Sequence, residues 1–100
     1  IPTGLVMEIP FGYEGQIRPR SGIALKTSLL IPNSPGTIDS DYRGEIKILM
    51  TNWGEQPAVI EHGQRIAQLI FCRVFRGIFS ETDEIAETTR NSGGFGHTGV

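Results

Sequence analysis

"NSPGTIDSDYRGEI", residues 33–46, sets two carboxylates, a tyrosine and a cluster of turn formers between two apolar runs. Asn33, Pro35, Gly36 and Asp39 are residues of the kind that open and complete tight turns. The run that follows, "EIKILMT" (45–51), alternates, with Ile46, Ile48 and Met50 on one face and Lys47 and Thr51 on the other. The pattern predicts a polar hairpin feeding a half-buried strand. A calcium loop is the first alternative, because Asp39, Asp41 and Gly44 fall at its positions 1, 3 and 6. It fails at position 5, which is Arg43, and at position 12, which is Met50 where a bidentate glutamate is needed. Two readings stay open. The stretch is a plain hairpin, or it is the base of a site in which a partly desolvated Asp39 acts as general base, a role worth roughly 10²–10⁴ in rate.

Outward from the hairpin, the chain reads as short strands punctuated by Gly and Pro. Leu5, Met7 and Ile9 alternate up to Pro10, and "FGYEG" (11–15) has turn chemistry. "QIRPRSGIALK" (16–26) begins as a strand that Pro19 interrupts. "NWGEQP" and "HGQ" are turns on either side of a short strand, "AVIEH" (58–62). The longest apolar run, "RIAQLIFCRVF" (65–75), is apolar on both faces, which predicts cover from an opposite sheet on one side and another subunit on the other. Residues 80–90 lack an apolar face and read as a solvated connection. The chain is therefore expected to be all-β, a sandwich, barrel or jelly roll, with a core over 1–89 and a flexible glycine-rich arm over 90–100. It opens on "IPTGLVMEI", already in strand-like alternation, so the N-terminal part of the domain is expected to lie upstream of Ile1.

Composition narrows the function. A net charge of −2 with both signs interspersed argues against a nucleic-acid surface. No apolar run reaches the ~20 residues of a membrane span, and a single cysteine, Cys72, suits a reducing, cytoplasmic compartment, or the nucleus or an organelle of a eukaryotic cell. One hundred residues make a small core, for which oligomerisation is a natural support.

Several residues invite a chemical reading beside a structural one. Arg20, Ser21 and Gly22 present a guanidinium, a hydroxyl and an amide in succession, suited to an anion or simply to a strand-ending turn. Gln68 is an amide on an apolar face and, if buried, needs partners. The tail has Gly94, Gly96 and Gly99 in the spacing of a dinucleotide fingerprint, but without the following helix that fingerprint requires. It is a disordered terminus, or an anion wrap using Arg90 and Thr98 with Phe95 as a lid. His62 and His97 have no companion cysteines, so no metal site is expected of them. Trp53 is expected to pack.

In order, "PRSGIA" (19–24), "NSPGTIDSDYRGEI" (33–46), "GQRIAQLIF" (63–71) and "RNSGGFGHTG" (90–99) resemble four of the five motifs of the trimeric dUTPases, across essentially the whole chain. The missing first motif would precede Ile1. The resemblance implies a jelly-roll-like β-clip fold and a homotrimer with active sites shared between subunits. The implied reaction is hydrolysis of dUTP to dUMP and pyrophosphate, which supplies dUMP for dTMP synthesis and limits uracil in DNA. Mg²⁺ would be held mainly by substrate phosphates and water. By position, Asp39 activates the attacking water, and Tyr42 lies against the deoxyribose. Asn33, Gly36, Thr37, Ile38 and Lys47 read uracil, and Arg20, Ser21, Gly22 and Gln68 hold phosphates. From another subunit, Arg90, Gly96, His97 and Thr98 reach the γ-phosphate while Phe95 closes over the base. Three positions depart from the usual pattern: Asn91 for glycine, Gln64 for an acid, and His97 for serine. The alternatives are a dCTP deaminase of the same fold, which would need a glutamate at the base, and a non-catalytic nucleotide-binding relative.

Overall fold

The computed structural model describes residues 1–99; Val100, the last residue of the expected arm, lies outside the described residues. The elements in chain order are β1 (Tyr13–Pro19), α1 (Ser21–Lys26), β2 (Leu29–Leu30), β3 (Gly36–Ile38), β4 (Thr51–Asn52) and β5 (Ala67–Arg73). They form an antiparallel sheet of order β3-β1-β5 and a two-stranded sheet of β2 and β4. The registers are Gly15↔Ile38 and Ile17↔Gly36 on one side of β1, and Tyr13↔Arg73 through Pro19↔Ala67 on the other.

β1 holds because its period of two is satisfied on both faces. Gly15 and Ile17 turn inward, and Ile17 is buried. Glu14, Gln16 and Arg18 form a ladder on the other face. In it Arg18 donates from Nη2 (2.7 Å) and Nε (3.2 Å) to Gln16 Oε1, and Gln16 Nε2 donates to Glu14 Oε2 at 3.4 Å. The core is a cluster of Ile17, Ile31, Ile46, Ile48 and Ile66, with Met7, Ile38, Met50 and Leu69 packed against it. Burying each such side chain is worth about 1.5–3 kcal/mol.

The alternation read over 45–51 appears as burial, since Ile46 and Ile48 are buried and Lys47 and Leu49 exposed, but only Thr51, the first residue of β4, belongs to a strand of either sheet. The partner of 46–48 is the start of the chain. Ile46 N–H donates to Leu5 O (2.8 Å), Ile48 N–H to Ile1 O (2.8 Å), and Thr3 N–H to Ile46 O (3.2 Å). Pro2 faces Lys47 across this ladder.

Other expectations need correction. Residues 5–9 and 58–62 are not strands, because their backbone finds almost no neighbouring strand to pair with. The expected turn at 11–15 is confined to Phe11 and Gly12, and Tyr13 already begins β1. After Pro19 the chain enters the short helix α1 rather than a loop. Trp53 does not pack; it is 77% exposed beside the β4 turn. The run 65–75 has Ile66 buried and Leu69 half-buried, but Phe71 and Phe75, on the same face as Leu69, stand exposed, so burial fades toward the end of the run and the expected cover is not completed within the single chain.

The described chain is flat, with extents of 55 × 39 × 17 Å and a radius of gyration of 19.0 Å; a compact domain of this length has about 13 Å. Residues 74–99 contribute no helix or strand. No helix among the described residues is long and apolar enough to cross a membrane.

Candidate active site

The hairpin is built around two close approaches. Gly36 is buried, and a side chain there would bring Cβ to 3.0 Å from Asn33 Nδ2 and 3.4 Å from Ile17 Cβ. Glycine thus lets the Asn33 amide lie against β3. Beyond Ile38 the chain turns, with Tyr42 N–H donating to Asp39 O at 3.1 Å and Arg43 Nη1 to Ser40 O at 2.7 Å. Tyr42 then folds over Gly44, and its hydroxyl donates to Glu45 O at 2.8 Å. A Cβ on Gly44 would sit 2.5 Å from Tyr42 Cζ and 2.8 Å from Cε1, so the ring is seated by the absence of a side chain. Gly44→Ala is expected to unseat it and, because the exposed ring can swing aside, to cost about 0.5–1.5 kcal/mol, the worth of the lost hydrogen bond to Glu45 O. Thermal denaturation beside Tyr42→Phe, which removes only the hydrogen bond, checks this; an unchanged melting temperature in Gly44→Ala would show that the ring is not held there.

Among the described residues the two arms of the hairpin, 36–38 and 46–48, are not paired with each other. β3 spends one edge on β1 and is the outer strand of its sheet. Ile46 and Ile48 spend their amides on residues 1–5, which leaves the Lys47 N–H and C=O directed the other way. A hairpin with two unspent backbone edges can take a flat ligand that carries its own donors and acceptors.

A second cluster lies at the head of α1. Arg20 precedes the helix in extended conformation, and its carbonyl accepts from Ala24 N–H at 3.0 Å. Gln68, opposite Arg18 on β5, donates from Nε2 to Pro19 O at 2.8 Å. Arg20, Ser21, Gly22 and Gln68 line a cleft of about 630 Å³ together with Lys26 and Arg65, and no Asp or Glu lines it. Three cations beside hydroxyl and amide donors suit an anion. Gln68 is exposed rather than buried, so its amide remains open to a ligand. Gln64, also at this cleft, accepts at Oε1 from Glu61 N–H at 3.0 Å, a bond that a carboxylate in its place could make equally. Lys26 and Arg65 had no role in the sequence reading, although a lysine four residues after Gly22 on a helix was a signal for the same face.

Asp39 is not in that cleft. Continuing the β1–β3 register puts it beside Glu14, near the start of β1, whereas Arg20 follows the end of β1. Six residues of strand separate the two levels, roughly 20 Å. Asp39 instead lines a separate cleft of about 470 Å³ with Tyr13, Glu14, Asp41 and Arg76. It is exposed on the single chain, so the expected desolvation does not come from its own fold.

The arm reaches neither cluster through hydrogen bonds of its own; those of residues 88–99 are all local among the described residues. It is a succession of turns, with Gly93 N–H donating to Arg90 O, His97 N–H to Gly94 O and Gly99 N–H to Gly96 O. Arg90 Nε also donates to Gly93 O. Asn91 has φ +46°, a left-handed conformation that asparagine tolerates nearly as glycine does, and its Oδ1 accepts from Thr88 N–H at 2.8 Å. That accounts for asparagine at this position. Phe95 also has φ +49° and is fully exposed, and Thr98 lies in the last turn.

The chain matches the dUTPase family model over residues 1–99. It belongs to the dUTPase family. The deoxyuridine 5'-triphosphate nucleotidohydrolase of Methylocella silvestris is 56% identical over 100 residues, all of this chain and 62% of that protein. The protein of the same name from Caldanaerobacter subterraneus is 55% identical over all of this chain and 68% of its own length. This dUTPase chain thus spans about two thirds of the length of such relatives. Among solved structures, a G164S mutant of the dUTPase of Staphylococcus bacteriophage 80alpha with dUpNHpp superposes with a TM-score of 0.82 at 28% identity. The alignment covers 95% of this chain and 72% of that one. The fold is accordingly the jelly-roll-like β-clip of dUTPases, mostly strand with little helix.

Proposed function

We propose that the chain forms part of a site that hydrolyses dUTP to dUMP and pyrophosphate. The observation that carries this reading is the division of two chemistries along β1, with a carboxylate hairpin near one end and a cleft lined by cations and neutral donors at the other. Attack at a phosphorus needs a base for water and positive groups for the phosphate oxygens. Because the two lie roughly 20 Å apart in one chain, each site joins the hairpin of one subunit to the cleft of the next in a homotrimer. The flat shape and the exposed Phe75 and Phe79, 86% and 103% accessible, support such an assembly.

In that site uracil enters between the hairpin arms. The backbone of Thr37, Ile38 and Lys47 meets its polar edge, Asn33 adds an amide, and Gly36 keeps the floor clear. The tight hairpin leaves no space for a 5-methyl group, which rejects thymine by a clash. Tyr42, seated on Gly44, lies along the deoxyribose and occupies the place of a 2′-hydroxyl. Asp39 takes a proton from water as the water oxygen bonds to the α-phosphorus in line. The bond from that phosphorus to the α–β bridging oxygen breaks, and pyrophosphate leaves with its electron pair. The Arg20 guanidinium, the Ser21 hydroxyl, the Gly22 N–H and the second N–H of the Gln68 amide take up the developing charge.

Among the described residues no group of three or more His, Cys, Asp or Glu side chains converges on one point. Mg²⁺ belongs to the substrate, as Mg–dUTP, where it neutralises phosphate charge. The arm, residues 90–100, comes from a third subunit: Arg90, Gly96, His97 and Thr98 meet the γ-phosphate and Phe95 covers the base, excluding bulk water after binding.

Incubation of the protein with dUTP and Mg²⁺ is expected to release dUMP and pyrophosphate in equal amounts. Release of ammonia from dCTP, with no pyrophosphate from dUTP, would overturn the reading in favour of a deaminase.

A further inference from the structure

Two cations at the phosphate cleft, Lys26 and Arg65, are left without a role, and of these Lys26 lies on the helix that begins at the Arg20–Ser21–Gly22 turn. Lys26 closes α1 and lines the cleft with Arg20, Ser21, Gly22, Arg65 and Gln68. It is exposed, and among the described residues no carboxylate lines the cleft to neutralise it. Lys26 stands four residues after Gly22, so the two share a helix face, about 6 Å apart along the axis. A phosphate bound at the Arg20–Ser21–Gly22 turn is therefore one end of a track whose other end is an ammonium group on a long, flexible stem. A monophosphate fills only the first position, whereas a di- or triphosphate extends along the track.

Resting on the proposed reaction, we infer that Lys26 is a specificity-determining residue that binds the phosphates beyond the first. It tells a pyrophosphate-bearing ligand from a nucleoside monophosphate, and after cleavage it holds the pyrophosphate product. Its contribution is a charge-assisted contact with a group that dUMP lacks, so its effect differs between ligands that have those phosphates and ligands that do not. A merely structural role at the end of α1 would weaken both alike.

The test is calorimetric titration of the protein with inorganic pyrophosphate and, separately, with dUMP. Lys26→Gln is expected to weaken pyrophosphate binding by about tenfold and to leave dUMP within about twofold of the unmodified protein. Lys26→Arg, which keeps the charge, is expected to retain pyrophosphate within about threefold. Unchanged pyrophosphate affinity in Lys26→Gln, equal losses for both ligands, or no measurable pyrophosphate binding by the unmodified protein would overturn the inference. The hydrolysis assay fails or succeeds independently: a protein that binds pyrophosphate through Lys26 yet leaves dUTP intact would sink the reaction and not the subsite.

Discussion

Asp39→Asn is expected to lower kcat for dUTP by roughly 10²–10⁴-fold, the usual worth of a positioned general base, with little change in nucleotide binding. The structural reason for choosing asparagine is local. Asp39 is held in its turn by its backbone carbonyl, which accepts from Tyr42 N–H, and among the described residues no hydrogen bond to its carboxylate maintains the turn. Asparagine fits such a turn equally well, so the substitution removes proton acceptance without moving the hairpin. Rates come from pyrophosphate release, and binding from titration with a non-hydrolysable imido analogue. A kcat close to that of the unmodified protein would reassign the base to another group.

Arg20→Ala is expected to cost roughly 10²–10³ in kcat, as losing a preorganised charge-stabilising donor does. The more telling result is its combination with Asp39→Asn. The two inactive variants, denatured together in equal amounts and refolded, are expected to recover roughly a quarter of the unmodified activity. In the proposed trimer each site would draw Asp39 from one subunit and Arg20 from its neighbour, and random mixing would make both intact one time in four. The basis is the strand register, which puts Asp39 near Glu14 and Arg20 beyond Pro19. No recovery on mixing would mean that both groups act within one chain, and that the flat single-chain geometry rearranges on assembly.

The candidate site residues could be picked out without coordinates because the signals reside in residue types at short range. Asp39 and Tyr42 are joined by one turn, and Arg20, Ser21 and Gly22 are consecutive. The longest apolar run became β5 for a similar reason: seven residues suited to a strand override local uncertainty. Short elements fared worse. Pro19 correctly marked the end of a strand, but the six-residue helix after it has no buried face to betray it. "AVIEH" has strand composition, yet Val59 is exposed and its backbone joins no sheet; composition supplies propensity, and pairing needs a neighbour. The departure at Asn91 made sense only once its φ was known.

Local chemistry thus determined which groups could accept a proton, bind an anion or make a turn, since those are properties of side chains and of neighbours a few residues away. Tertiary structure alone decided which of them meet. The antiparallel register of β1 with β3 carries the hairpin carboxylate away from the cationic cleft, and the pairing of 46–48 with the start of the chain turns the Lys47 backbone outward. Both follow from hydrogen bonds between segments far apart in sequence, where alternation fixes a strand's buried face but not its partner or its register.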